Sequence, residues 1–256
     1  LPLPINLLAE FAFDAWLLAR FSSPPGSTPL DGRTWERMIA GLLHRPGFTR
    51  RQGPGNLTLF GSNTSSGVHH EIDAAADGRS GSFMVECKAT SGGVTKADAA
   101  IFHYKIMDYY QRKIRTASQE QWWGFLCGTM PTITSARASA INLGLIVCDP
   151  GRLPLPVLFR AASRPAADMH LPENLLQEIV RLGERALSCH QERWPYRAES
   201  RKISFNPHSW SETEIQDLLW LQDELSDSIL DLYKKRRPGL LERCATELMW
   251  RAKKVA

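Results

Sequence analysis

The segment from His69 to Thr90 constrains this chain most, because it spells two strands and the turn that joins them. Residues 69–76 and 82–89 each read as a strand, and Asp77-Gly78-Arg79-Ser80-Gly81 between them has hairpin-turn chemistry. Alternate side chains of a strand share a face. In the second strand Phe83, Val85 and Cys87 are therefore expected inward, with Glu86 and Lys88 projecting together on the opposite side. In the first, the same rule sets Ile72 and Ala74 inward and Glu71 and Asp73 on one face. Pairing across the Gly78 turn then brings Asp73 beside Glu86 and Lys88.

Two carboxylates that converge repel unless a cation sits between them, and hard oxygen donors suit Mg²⁺ or Mn²⁺. Asp73 and Glu86 are accordingly the expected metal ligands. A bound ion of this kind polarises a phosphodiester and acidifies a water for in-line attack. Lys88 is left three roles: orienting that water, acting as base, or stabilising the charge of the transition state. An ordinary salt-bridged pair on a solvated sheet face is the competing reading of Glu86 and Lys88. The apolar flank Phe83-Met84-Val85 argues against it, since an idle charged pair in a buried strand is costly.

The rest of the chain supplies helices on either side. Residues 34–44 carry Trp35, Met38, Ile39, Leu42 and Leu43 at helical spacing, started by Asp31 or Thr34 and ended by Pro46-Gly47. Residues 48–60 read as one extended stretch or a hairpin broken near Gly53-Pro54-Gly55. Residues 95–117 contain no proline or glycine and read as a long helix, followed by short buried strands at 122–129 and 143–148. Beyond Asp149-Pro150-Gly151 the segments 172–189, 211–233 and 238–253 all have helical spacing. The organisation expected is an N-terminal helix and linker over 1–29, an α/β domain over 30–165, and a helical C-terminal region over 166–256.

Asp73 and Glu86-Cys87-Lys88, thirteen positions apart and set between an amphipathic helix and a long one, resemble the PD-(D/E)xK nuclease superfamily, above all its Mrr-like restriction endonucleases. The likeness spans roughly Asp31 to Pro156, about half the chain. It implies a restriction-endonuclease-like core, a mixed central sheet flanked by helices, with Asp73 and Glu86 as ligands of Mg²⁺ or Mn²⁺ and Lys88 as the catalytic lysine. It adds Glu36, beside the apolar stripe of the first core helix, as a supporting acid. It also points to Lys105, Arg112 and Lys113, on the helix after the ExK strand, as contacts to the substrate backbone; a solvated helix face accounts for that cluster equally well. Ile72 stands where the family often has proline, and Glu71 is an additional acid.

The activity so implied is metal-dependent hydrolysis of DNA, in restriction, anti-phage defence or repair. The alternative is a catalytically silent nuclease-fold subunit that binds DNA or assembles a larger complex, or a homo-oligomer, through the C-terminal helices. A net charge of +4 suits a polyanionic partner only weakly, and apolar and charged fractions of 43% and 23% are those of a globular chain, neither disordered nor membrane-embedded. The five cysteines, Cys87, Cys127, Cys148, Cys189 and Cys244, form no CxxC pair and fit a reducing cytoplasm. Glu10, Asp14 and Arg20 interrupt the apolar run 5–21, which reads as a core helix and not as an anchor. His69-His70 is expected to be structural, and Tyr109-Tyr110 and Trp122-Trp123 to pack in the core. No GxGxxG, P-loop, GxSxG or HExxH pattern offers a rival chemistry.

Overall fold

The computed structural model describes residues 5–22, 30–44, 49–50, 57–59, 64–78, 81–115, 121–154, 226–227, 230–231, 234–235 and 238–255. The expected helix at 172–189 and most of that at 211–233 lie outside them. The described chain is α/β. Its order is α1 (Ile5–Ser22), α2 (Gly32–Leu42), β1 (Thr49–Arg50), β2 (Leu57–Leu59), β3 (His70–Ile72), β4 (Ala74–Gly78), β5 (Gly81–Lys88), α3 (Lys96–Arg115), β6 (Gln121–Gly128), α4 (Thr134–Asn142), β7 (Leu145–Cys148) and α5 (Leu240–Val255).

Five strands form a mixed sheet in the order β1-β4-β5-β6-β7, and β2 pairs with β3 apart from it. The β4–β5 hairpin is antiparallel down to Gly78↔Gly81, as its turn chemistry predicts. From β5 the sheet becomes parallel, with Cys87 opposite Cys127 and Cys127 opposite Cys148. Parallel neighbours need crossovers, and α3 and α4 supply them.

Both faces of the sheet are covered, so its strands alternate between two cores. Ala74, Ala76, Val85, Cys87, Phe125, Cys127, Ile146 and Cys148 join one core with residues of α1, α2 and α5. Ala75, Met84, Leu126, Leu145 and Val147 join the other with Phe102 and Ile106 of α3 and Ala140 of α4. The row of three thiols on the first face is fully enclosed, and burial drives the Cys87 and Cys127 thiols well above the usual range, so they behave as small apolar groups. The Phe83 side chain lies outside the described residues.

Helix α1 packs as a core helix. Leu8, Phe11, Trp16 and Leu18 are fully buried, Phe11 meets Phe125 edge-on at 5.0 Å, and Arg20 Nη1 donates to the Pro150 carbonyl at 2.8 Å. No helix among the described residues is long and apolar enough to cross a membrane. Helix α2 starts where Asp31 accepts a bond from the Thr34 backbone N–H at 3.0 Å, and its buried stripe includes Trp35, Met38 and Ile39. Trp35 Nε1 donates to the Cys127 carbonyl at 2.9 Å, which fixes α2 against the sheet.

Two expectations need correction. Residues 69–76 are not one strand: the chain bends at Asp73, β3 pairs with β2, and only β4 continues along β5. The bend breaks the alternation, so Ile72 joins the α3-side core while Ala74 joins the opposite one. Likewise the hairpin alternative for 48–60 does not hold, because β1 and β2 belong to different sheets; residues 51–56 between them lie outside the described residues. Helix α4 was not expected: Pro131-Thr-Ile-Thr-Ser-Ala-Arg137 has little amphipathic pattern, and the cap residue Ile133 makes no side-chain cap bond. Its end is legible afterwards in Gly144, whose φ of 74° gives the left-handed exit.

The β5–α3 loop is held by Gly93, at φ 69°, where an added Cβ would stand 2.5 Å from the Pro131 carbonyl oxygen. Gly93→Ala is expected to lower stability by about 2–4 kcal/mol, combining left-handed strain with overpacking against backbone. Urea denaturation checks this, and a change below about 0.5 kcal/mol would show that the loop relaxes freely.

Candidate active site

The β4–β5 pairing stops at Ala74↔Val85, and the Cys87 N–H lies just beyond it. Asp73 Oδ2 accepts that N–H at 2.6 Å. The carboxylate thus closes the ladder at the point where the strand bends, which holds Asp73 beside the end of β5. One oxygen is used by this bond; Oδ1 is left for other chemistry.

Glu86 projects from β5 on the α3 side and is buried, its side chain only 8% exposed. Two ammonium groups balance it. Lys88 Nζ donates to Glu86 Oε1 at 3.0 Å, and Lys105 Nζ, reaching across from α3, lies 3.2 Å from both oxygens. Lys105 also donates to the Glu71 carbonyl at 2.8 Å, tying α3 to β3. On its other side Lys88 faces Asp98 Oδ1 at 3.6 Å.

The electrostatics follow from this crowding. Burial, and then the nearby charge of Glu86, push the Asp73 carboxyl up to about 7. Burial raises Glu36 as well, with Glu71 and Glu86 adding to it, so the α2 acid belongs to the same electrostatic cluster. Burial alone would lower Lys88; the charge and hydrogen bond of Glu86, with Asp98 and Asp73, outweigh it and hold the ammonium above its ordinary range.

Of the residues singled out in the sequence, Asp73, Glu86, Lys88, Glu36 and Lys105 therefore gather at one place. Arg112 and Lys113 lie on α3, but their side chains are outside the described residues. His70 is buried and its Nε2 meets Asp108 Oδ2 at 2.7 Å, a contact that fastens β3 to α3. Tyr109 is buried in the α3-side core. Asp98 was not anticipated. Its signal was the pair Thr95 and Asp98 at the start of α3, which the sequence offers only as a capping box.

Among the described residues no three His, Cys, Asp or Glu side chains converge as a ready-made metal cage. Mg²⁺ does not require one, since it keeps several waters and takes one or two carboxylates plus substrate phosphate oxygens. The donor set fits that habit: Asp73 and Glu86 would offer hard oxygen donors, and the charge of Glu86 acting on Asp73 is one that a divalent ion would relieve.

The raised Asp73 carboxyl has a stability consequence with a definite sign. Its folded-state value of about 7 lies above the unfolded value of 3.8, so between those limits the folded protein holds the extra proton and stability falls as pH rises. Without divalent ions, Asp73→Asn removes this penalty and should gain on wild type from pH 4 to 7, reaching about 2–4 kcal/mol. Denaturation of both proteins across that window checks it; a pH-independent difference would show that Asp73 does not titrate late.

No family model and no curated protein matches the chain. One solved structure, described as the crystal structure of a protein of unknown function, AF1548, is similar at 17% identity over 77% of this chain and 100% of that one. Its TM-score of 0.36 is too low to carry an argument on fold or activity.

Proposed function

We propose that this chain is a divalent-metal-dependent DNA endonuclease with a restriction-endonuclease-like core. The observation that supports the reading best is the convergence of Asp73, at the β3–β4 bend, with Glu86 and Lys88 on the adjoining β5. The resemblance implies a mixed central sheet flanked by helices, and the mixed sheet with α2 and α3 packed on it is consistent with that. The substrate class comes from that resemblance, as does a role in restriction, defence or repair.

In this mechanism Asp73 and Glu86 would hold Mg²⁺ or Mn²⁺. When bound, the ion polarises the scissile phosphodiester and lowers the pKa of a water. Without the metal the surrounding carboxylates hold the Lys88 ammonium above its ordinary range; with the metal bound, Lys88 would orient the water, act as base or stabilise the charge of the transition state. Glu36, raised by burial and by its acidic neighbours, is suited to receive a proton from the attacking water, directly or through a second water.

A second reading has one observation in its favour. Both oxygens of Glu86 are engaged by lysines, which is the arrangement expected of a silent subunit that keeps the fold to bind DNA or assemble with partners, a second copy included, through its C-terminal helices. For Glu86 to serve as a metal ligand, Lys88 and Lys105 would have to yield these contacts.

Incubating plasmid and linear DNA with the protein in Mg²⁺, Mn²⁺ or chelator separates the two. The nuclease reading expects cleavage that stops in chelator and drops by about 100-fold or more in Lys88→Ala. DNA binding without cleavage in either metal would favour the silent subunit.

A further inference from the structure

We propose that Asp98 is the positioning residue that keeps Lys88 aimed at the site once the metal has taken Glu86. For its catalytic consequence this rests on the nuclease reading. Lys88 Nζ touches two carboxylates outside the Asp73 bend: Glu86 Oε1 at 3.0 Å and Asp98 Oδ1 at 3.6 Å. A cation on Glu86 claims the first of them. Asp73, another acid acting on Lys88, would share that cation; Glu36 acts on Lys88 as well but is not paired with it, so among the described residues Asp98 becomes the remaining carboxylate at ion-pair distance from the ammonium.

Asp98 is built to stay where it is. Its Oδ2 accepts the Thr95 backbone N–H at 2.9 Å and the Thr95 hydroxyl at 2.7 Å, while the Asp98 N–H donates to Thr95 Oγ1 at 3.1 Å. This reciprocal capping box consumes one carboxylate oxygen and presents the other to Lys88. The first turn of α3 thus carries a fixed anion, and the strand that carries Glu86 also carries the lysine it faces. Lys88 is one-quarter exposed, so its long side chain has room to swing away if that anion is removed. A displacement of about 1 Å at a reacting centre costs on the order of 100-fold in rate.

The test is a double-mutant cycle on Mg²⁺-dependent plasmid cleavage. Asp98→Asn keeps an oxygen for the cap and loses the charge; kcat should fall by about 10–100-fold with the Kd for DNA unchanged within about twofold. Asp98→Glu should restore most of the rate. Lys88→Ala and Lys88→Ala/Asp98→Asn should cleave at the same rate, because Asp98 acts only through Lys88. Thr95→Ala, which weakens the cap and leaves the carboxylate, should cost less than Asp98→Asn. Equal losses in Thr95→Ala and Asp98→Asn, a further tenfold fall in the double variant, or an unimpaired Asp98→Asn would overturn the proposal.

Failure of the nuclease reading is recognised separately, as wild-type protein that cuts no DNA in either metal. The positioning claim is then decided by the ¹⁵N signal of the Lys88 ammonium in Glu86→Met, a variant in which Asp98 is the nearby anchor. A sharp signal that vanishes in Glu86→Met/Asp98→Asn supports the claim, and its absence in Glu86→Met refutes it.

Discussion

A buried carboxylate on the central strand governs this fold. Glu86 is deep enough that an uncompensated charge there would cost several kcal/mol, and the chain answers with two lysines from different elements. Lys88 comes from the same strand two residues on, a neighbour by pleat alone. Lys105 comes from α3, and by also bonding the Glu71 carbonyl it fixes how α3 lies across the β3 segment. The position of one acid therefore orients the crossover helix, and that helix in turn delivers Asp98.

The bend at Asp73 does the complementary work on the other side of β5. A strand that stayed regular would carry its side chains past the end of the hairpin; by turning, the chain spends an aspartate on the Cys87 N–H and sends β3 off to pair with β2. A backbone donor that would otherwise end the ladder unpaired is satisfied by a side chain, and the acid is thereby pinned. The same bond lowers the Asp73 carboxyl, but burial and the charge of Glu86 prevail. Structural satisfaction and electrostatic strain thus meet on a single residue.

Much of this was legible in the sequence because it depends on period and spacing. The alternation in 82–89, the turn at Gly78 and the stripe of Trp35, Met38 and Ile39 each read directly onto a strand, a hairpin and a helix face. What was illegible depended on contacts distant in sequence. Nothing local around Asp73 signals that β2 will pair with 70–72 and β5 with 74–78. Helix α4 lacks both a clear apolar stripe and a side-chain cap; it packs against α3 and leads into β7, and its Arg137 pairs with buried Asp149 at 2.7 Å. Asp98 bonds Thr95 at the start of α3, and its contact with Lys88 exists only because the β5–α3 loop folds the two together.

The two lysines on Glu86 also bear on how a metal would arrive. Each has a second anchor that does not belong to the metal site: Asp98 for Lys88, the Glu71 carbonyl for Lys105. If the nuclease reading holds, Lys88 and Lys105 could give up their contacts to Glu86 while these second anchors kept both side chains in place. In that reading a divalent ion would supply two positive charges in place of two ammonium groups, and would offset the repulsion between Glu86 and Asp73. In the nuclease reading the released lysines remain at the rim as fixed cations, where a phosphodiester would need them. The arrangement that makes the acid tolerable in the folded chain is then the same one that prepares the site for a polyanion.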